Sequence, residues 1–257
     1  MATSHHKRSR TAVALALIKP ANYSGVVKTL LQCSAPLDFL GRYVRNRGQY
    51  PAQFRIRTPI GPVTLTAFTP DDLLTINEIF FRGDYGDDRD AKVVVDFGSN
   101  IGISAAYFLS RNREAFVYCH EPLAQNVERL RANLRAFEGR YALNELAVAT
   151  EDGTVEFGWE PTGRYGGIGR PGLQTITVPA RDSNSVLAEI IERHGRIDLL
   201  KIDIEGLEYA LTARIPPEIA RNIGRIAAEE RFSDNPLAAT HELTYTRPIT
   251  TLVKRSS

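Results

Sequence analysis

The sequence predicts an α/β fold with a mostly parallel sheet and helices on both faces. From residue 93 onward, short apolar runs rich in β-branched residues alternate with segments of helical periodicity. This alternation is typical of buried parallel strands joined by helical crossovers. Acidic residues and glycines follow several of these runs, at the edge where open α/β sheets bind ligands. We therefore expect a ligand site at the carboxyl ends of the strands.

An extension with helices and a β-hairpin precedes this alternation. A helix is expected from Ser34, a candidate N-cap, to about Asn46. Residues 54–58 and 63–68 flank a turn rich in proline and glycine, which predicts a hairpin. Another helix begins after Thr69, where apolar residues recur at helical spacing.

The alternating region supplies the strands and helices of the sheet in order. These elements are predicted as strands at residues 93–97, 116–120, 143–149, 197–205 and 223–228, and as helices at residues 102–111 and 122–137. Residues 154–159 and 174–179 indicate an inserted strand pair. The glycine-rich segment between these two strands, residues 161–172, is either a lid over the bound substrate or a simple connection. We divide the chain into a lead-in, residues 1–89, and a ligand-binding domain, residues 90–257.

The most informative motif is the strand and turn at residues 93–102, where Val-Val-Val-Asp-Phe leads into Gly-Ser-Asn-Ile-Gly. Its D-x-G-x-x-x-G spacing differs from the G-x-G-x-x-G of dinucleotide-binding enzymes. Glycine allows a sharp turn and lets a ligand approach the backbone without a Cβ in the way. The candidate cofactor residues here are Asp96, Gly98, Ser99, Asn100, Gly102 and, at the start of the helix, Ser104.

A second motif follows one helix later, where Glu121 comes directly after the strand at residues 116–120. An acid about twenty residues beyond a glycine turn grips the ribose in nucleotide-binding sheets, because a carboxylate accepts from both hydroxyls. The alternative is that Glu121 favours the dipole of the next helix, and both roles can hold together. Asn144, on the third strand, is a candidate for the adenine side.

The third motif, residues 197–206, is an apolar strand that ends in Lys201, Asp203 and Glu205 before a glycine. By strand alternation these three side chains are expected on one side, facing the ligand crevice. They are therefore the catalytic candidates. The alternative is a structural salt bridge between Lys201 and Glu205 that braces the strand end.

In this order, D-F-G-S-N-I-G, H-E-P-x-x-x-N and L-L-K-I-D-I-E-G resemble the FkbM family of class I S-adenosylmethionine-dependent methyltransferases. The resemblance covers about residues 50–232. It implies a Rossmann-like domain with a seven-stranded type of sheet and S-adenosylmethionine as cofactor. It also implies methylation of a hydroxyl on a sugar, glycoside or related secondary metabolite. The chain departs from the family near its C-terminus, where the usual long hairpin region is reduced to residues 243–254.

Methyl transfer to an alcohol requires alignment of donor and acceptor and removal of the hydroxyl proton. Asp203 is the first candidate for the general base. A divalent cation, Mg²⁺, is the other option, with Asp203 and either Glu229 or Glu230 as oxygen ligands at neighbouring strand ends. Glu78 and Tyr85 are expected near the amino-acid end of the cofactor.

Composition and charge favour an enzyme of one domain plus an extension. The 257 residues are 43% hydrophobic, and the net charge of +2 offers no electrostatic footprint for nucleic acid. No apolar run approaches the roughly 20 residues that span a bilayer, and no clean signal-peptide cleavage site follows the basic N-terminus. Cys33 and Cys119 are expected as free thiols. We expect a cytoplasmic enzyme for a small-molecule acceptor; a homo-oligomer stays open.

Two rival functions remain open at this point. One is methylation of an amine or a carboxylate on the same fold, and the other is a non-catalytic cofactor-binding module. The presence of Asp96, Glu121 and Asp203 together argues against the module. The alternative bases are His120, His194 and His241, of which only His120 is near the predicted active edge.

Overall fold

The computed structural model describes residues 20–160, 166–169 and 174–255. The contacts group into two compact units: the first comprises residues up to 57 and residues 64–83, and the second residues 58–63 and residues 84 onward. The N-terminal basic and apolar runs, residues 1–19, and most of the glycine-rich segment lie outside the described residues. The domain boundary at residue 90 stays a prediction. None of the described helices has the length and apolar character needed to cross a membrane.

The first unit is built from short helices and a hairpin. Its elements are α1 (Pro20–Gln32), α2 (Pro36–Arg45), β1 (Ala52–Thr58), β2 (Gly61–Ala67), α3 (Asp72–Ile76) and a π-helical turn (Asn77–Arg82). The predicted hairpin is confirmed, because β1 and β2 form a two-stranded sheet. The prediction for α2 was wrong at its start, since Ala35 rather than Ser34 occupies the N-cap and no side chain caps it. Helix α1 was not predicted.

The second unit contains the alternating elements. In chain order they are β3 (Val93–Phe97), α4 (Ile103–Leu109), β4 (Phe116–His120), α5 (Ala124–Leu134), a 3₁₀ turn (Arg135–Phe137), β5 (Tyr141–Asn144), β6 (Ala147–Ala149), β7 (Gly153–Trp159), β8 (Gly166–Ile168), β9 (Gln174–Asp182), α6 (Ser183–His194), β10 (Ile197–Ile202), α7 (Glu208–Ala213), α8 (Pro217–Ala220), β11 (Ile223–Ala228), β12 (His241–Thr246) and β13 (Ile249–Lys254).

Seven of these strands form one sheet in the order β12-β13-β11-β10-β3-β4-β5. Neighbouring strands from β11 to β5 are parallel, whereas β13 runs antiparallel to both of its neighbours. This topology confirms the predicted Rossmann-like fold with a mostly parallel seven-stranded sheet. The short C-terminal hairpin supplies two complete strands of the sheet, β12 and β13.

The two faces of the central strands have different partners. On β3, Val95 and Phe97 belong to a hydrophobic cluster that includes Leu187 and Ile190 of α6. Strand alternation turns Asp96 to the opposite face, where α4 lies. On β10, Leu200 and Ile202 pack into the same cluster on the α6 face. Lys201 is therefore on the same face of the sheet as Asp96.

The strand predicted at residues 143–149 is in fact two strands in two different sheets. Strand β5 pairs with β4 at the edge of the large sheet, whereas β6 pairs with β9 in a four-stranded sheet of order β6-β9-β7-β8. The alternation of side chains does not reveal that the hydrogen-bonding partner changes. The predicted pairing of the inserted strands is confirmed, since β7 and β9 are antiparallel neighbours.

Candidate active site

A buried ion pair lies at the centre of the large sheet. The parallel register of β10 and β3 sets Lys201 opposite Asp96. Lys201 Nζ lies 2.9 Å from Asp96 Oδ1 and 3.4 Å from Asp203 Oδ2. Only Asp203 reaches solvent, with 29% of its side chain exposed. Burial acts to lower the pKa of Lys201, but the carboxylates of Asp96 and Asp203 raise it above its ordinary value. Lys201 is therefore a fixed cation.

Further groups complete this cluster. Ser104 Oγ of α4 donates to Asp96 Oδ2 at 2.6 Å. The buried phenol of Tyr85 donates to Glu229 Oε2 at 3.4 Å. Burial, followed by the carboxylates of Asp203 and Glu229, raises the pKa of Tyr85 well above its usual value, so the phenol stays neutral. Below, the Lys201 cluster means Asp96, Ser104, Lys201, Asp203, Tyr85 and Glu229.

The glycine turn after β3 packs directly against the turn after β10. Gly98 has a φ of 77°, and a Cβ built on it would lie 1.8 Å from the carbonyl oxygen of Asp203. The sequence suggested that this glycine leaves room for a ligand, but the backbone of Asp203 fills the space that a Cβ would need. Lys201 Nζ also donates to the carbonyl of Gly98 at 2.7 Å. The two turns are therefore held together as one unit.

The other turn residues link β3 to its neighbour β4. The buried Ser99 donates from Oγ to the carbonyl of Asp96 at 2.9 Å and accepts from the amide of His120 at 3.1 Å. Asn100 has a φ of 48°, and Gly102, with a φ of 82°, comes directly before α4. Both positions require the left-handed region of backbone conformation, which glycine and asparagine tolerate best.

Glu121 is buried and connects this turn to α5. Its Oε2 accepts from the amide of Asn100 at 2.9 Å, and its Oε1 accepts from the amide of Leu123 at 3.0 Å and from Asn126 Nδ2 at 3.2 Å. Burial raises the pKa of Glu121 to about 7, although these hydrogen bonds oppose the rise. Because a carboxylate has about four acceptor positions, Oε2 keeps room for one further donor.

The chain leaves strand geometry directly after β10. The strand ends at Ile202, and Glu205 has a left-handed φ of 63°. Strand alternation therefore does not extend to Asp203 and Glu205. Asp203 nevertheless lies on the side of Lys201, as predicted, since its Oδ2 is 3.4 Å from Lys201 Nζ. The alternative of a Lys201–Glu205 brace is wrong, since Lys201 forms its ion pairs with Asp96 and Asp203.

Glu208, which sequence analysis missed, holds this turn in place. Its side chain is buried and accepts from three consecutive backbone amides: those of Ile204 at 3.0 Å, Glu205 at 2.7 Å and Gly206 at 2.8 Å. The signal in the sequence is an acid two residues after a glycine, at the first position of α7. Glu208 therefore fixes the backbone that carries Asp203.

A family comparison agrees with this arrangement. Residues 96–211, which span the glycine turn, Glu121, the Lys201–Asp203 turn and Glu208, match the family model described as "Methyltransferase FkbM domain". This part of the chain is therefore similar to the FkbM methyltransferases. The predicted resemblance is thus confirmed, and such a domain implies the use of S-adenosylmethionine. A comparison with curated proteins gave no match.

Two solved structures are similar to this chain. One is a methyltransferase from Geobacter sulfurreducens, with 16% identity and a TM-score of 0.37, over 66% of this chain and 74% of that protein. Another is an rRNA methylase from Streptococcus thermophilus, with 12% identity and a TM-score of 0.38, over 65% of this chain and 89% of that protein.

Of the acids proposed as metal ligands, Asp203 and Glu229 belong to the Lys201 cluster, whereas Glu230 does not. Glu230 Oε2 accepts a hydrogen bond from the amide of Tyr209 at 3.0 Å, so Glu230 binds to the backbone of α7 rather than to the Lys201 cluster. In the described ranges, no group of three or more His, Cys, Asp or Glu residues could hold a metal ion. The structure therefore gives Mg²⁺ no support.

The cofactor-binding roles of Asn144 and Glu78 stay predictions. Asn144 ends β5, and its Nδ2 lies 3.3 Å from His120 Nε2. Glu78 belongs to the first unit, where its carboxylate lies 3.8 Å from Arg82.

The histidines are poor candidates for a general base. Burial lowers the pKa of His120 to about 4, and its ring lies edge-on to Phe97. His194 pairs with Tyr118 Oη at the end of α6, close to where β10 begins. His241 pairs with the carbonyl of Ile223 at the start of β11. The last two therefore lie toward the amino ends of the strands, away from Asp203.

Gly98→Ala should destabilise the protein more than Gly139→Ala. The two glycines have nearly equal φ values, 77° and 80°, but a Cβ at Gly139 would meet nothing within 4 Å. The shared left-handed strain costs about 1–2 kcal/mol in each variant. Displacement of the Asp203 backbone should add at least about 2 kcal/mol for Gly98→Ala in denaturant unfolding. Equal losses in the two variants would contradict the close contact between the turns.

Glu208→Gln should reduce catalysis in a protein that remains folded. A glutamine offers one acceptor oxygen where Glu208 uses two, so at least one of the three partly buried amides loses its acceptor, at a cost of up to about 1–3 kcal/mol. The freed turn should lower kcat at least tenfold, while thermal melting shows that the variant remains folded. The exposed Glu218→Gln is the matched control and should leave both quantities unchanged. A normal kcat for Glu208→Gln would show that the turn needs no such support.

The pH dependence of stability should report the raised pKa of Glu121. The folded chain holds this proton up to a pH of about 7, against an ordinary value of 4.5. The contribution of Glu121 to the free energy of unfolding is therefore fully present below pH 4.5 and is lost as the pH rises through about 7. Relative to Glu121→Gln, which cannot ionise, the wild type should lose up to about 3 kcal/mol over this range. Parallel pH profiles of the two proteins in denaturant unfolding would refute this assignment; the exposed Glu128→Gln is the control.

Proposed function

We propose that this chain is an S-adenosylmethionine-dependent O-methyltransferase that acts on a hydroxyl of a sugar, glycoside or related secondary metabolite. The observation that supports this most is the Lys201 cluster at the carboxyl ends of β3 and β10. It holds a fixed cation among three carboxylates, and two of these, Asp203 and Glu229, reach solvent. An alcohol needs such a group because it is a weak nucleophile until its proton is removed.

The cofactor part of the proposal assigns the glycine turn and Glu121 to the nucleoside. Glu121 Oε2 would accept one ribose hydroxyl, and Asn144 would face the adenine. Tyr85 and Glu78 would lie toward the amino-acid end. The Lys201 cluster carries one positive charge and three carboxylates. This excess of negative charge favours a ligand with a sulfonium and an ammonium group, because opposite charges attract.

The catalytic part of the proposal assigns the proton transfer to Asp203. When bound, S-adenosylmethionine supplies the methyl group and a neutral thioether leaving group. Asp203 would accept the hydroxyl proton of the acceptor as its oxygen bonds to the methyl carbon. Asp96 cannot take this role, because its side chain is wholly buried. Lys201 orients Asp203 through their 3.4 Å contact. Glu205, in the same turn, would be a further contact for the molecule that receives the methyl group.

The acceptor is proposed as a small molecule, in keeping with the low net charge of +2. Cytoplasmic location and a homo-oligomeric state stay predictions.

Asp203→Asn should separate catalysis from cofactor binding. The variant keeps the shape of the side chain but loses the base, which should lower kcat about 10²–10⁴-fold. The assay is release of S-adenosylhomocysteine with a panel of sugar and glycoside acceptors. Calorimetry should show S-adenosylhomocysteine binding in about the micromolar range, changed less than about tenfold by Asp203→Asn and weakened at least about tenfold by Glu121→Ala.

Normal turnover by Asp203→Asn would exclude Asp203 as the base, and the role would then pass to another acid. Binding of NAD with no response to S-adenosylhomocysteine would refute the cofactor assignment. Activity that persists in EDTA is expected if Asp203 acts as a base without a metal.

A further inference from the structure

Helix α1 presents a stripe of large apolar side chains to solvent. Tyr23, Val27, Leu30 and Leu31 are exposed by 58%, 52%, 49% and 68%. Their spacings of three and four residues place them on one side of the helix. The opposite side meets the interior of the first unit, since Thr29 is fully buried. The stripe therefore lies on a different side of the helix from the face that packs against the first unit.

Helix α2 repeats this arrangement. Leu37 and Val44 are exposed by 79% and 50% and lie seven residues apart, which puts them on the same side of the helix. Phe39 is wholly buried and packs edge-on against Phe54 and Phe81. Single exposed apolar residues are common, but a contiguous group of them indicates an interaction surface. The outer face of the two helices means Tyr23, Val27, Leu30, Leu31, Leu37 and Val44.

Positive charge is concentrated in the same part of the chain. Residues 1–50 contain eight Lys or Arg residues and one Asp, which gives a net charge of +7. Because the whole chain carries +2, residues 51–257 carry −5. Arg45 and Arg47, directly after the second stripe, are exposed. The basic part of the sequence therefore contains both apolar helix faces, whereas the remainder of the sequence is acidic.

We propose that the outer face of the two helices binds an anionic lipid surface. Helices that lie in a membrane interface combine an exposed apolar face with Lys and Arg, and anionic headgroups attract that charge. A second copy of the chain is the weaker occupant, because it would bring two regions of like charge together. This inference does not depend on the proposed function, since none of its residues belongs to the Lys201 cluster or the glycine turn.

Vesicle co-sedimentation of the full chain tests this inference. The chain should bind vesicles of phosphatidylcholine with about one third phosphatidylserine, and it should bind pure phosphatidylcholine at least about tenfold more weakly. Salt should weaken the binding, since it screens exposed charges. Val27→Glu and Leu31→Glu should each reduce the binding at least about tenfold, because each sets a carboxylate against the apolar and anionic surface.

Val253→Glu is the matched control. Val253 is 45% exposed, close to the 52% of Val27, but it lies on β13 in the acidic part of the chain, so its substitution should leave vesicle binding unchanged. Circular dichroism would verify that all three variants are folded. The inference is overturned if the wild type ignores anionic vesicles, if Val253→Glu weakens binding as much as Val27→Glu, or if sedimentation equilibrium shows a dimer that Val27→Glu dissociates.

Discussion

The buried ion pair between Lys201 and Asp96 is the interaction on which the site depends. Two charges removed from water are stable only when they are close and when their remaining donors and acceptors are satisfied. Here Lys201 also reaches Asp203 and the carbonyl of Gly98, and Asp96 also receives the hydroxyl of Ser104. Loss of either partner would leave the other charge buried with only these remaining contacts, at a cost of up to about 3–5 kcal/mol. The pair therefore determines both the local stability and the position of the groups around it.

The turns at the carboxyl ends of β3, β4 and β10 behave as one connected structure. Gly98 contacts the backbone of Asp203, Ser99 joins the first two strands, and Glu208 fixes the amides after Asp203. The groups assigned to the cofactor are thus held by the same contacts as those assigned to the acceptor. Such preorganisation matters for methyl transfer, because its rate depends on how well donor and acceptor are aligned.

The charge distribution separates two tasks along the chain. The acidic surplus around Asp203 suits a cationic cofactor, and the basic surplus of the first 50 residues suits an anionic surface. Because the two surpluses have opposite signs, each attracts ligands of a different charge.

The sequence alone determined the features that depend on local periodicity and local chemistry. The strands Phe116–His120 and Ile223–Ala228 lie at the predicted residues, because short, mostly apolar runs between turn residues favour a strand whatever its partner. The D-x-G-x-x-x-G turn and the K-x-D-x-E-G motif were likewise enough to indicate the FkbM family.

Only the tertiary structure decided which residues meet. Lys201 and Asp96 lie more than a hundred positions apart, and only the register of two parallel strands sets them opposite each other. The same holds for Gly98, whose lack of a Cβ serves the backbone of Asp203, and for Glu230, which bonds to α7 rather than to a metal site. Side-chain period fixes the face on which a residue lies. Its partner depends on strand order, which contacts between distant parts of the chain establish.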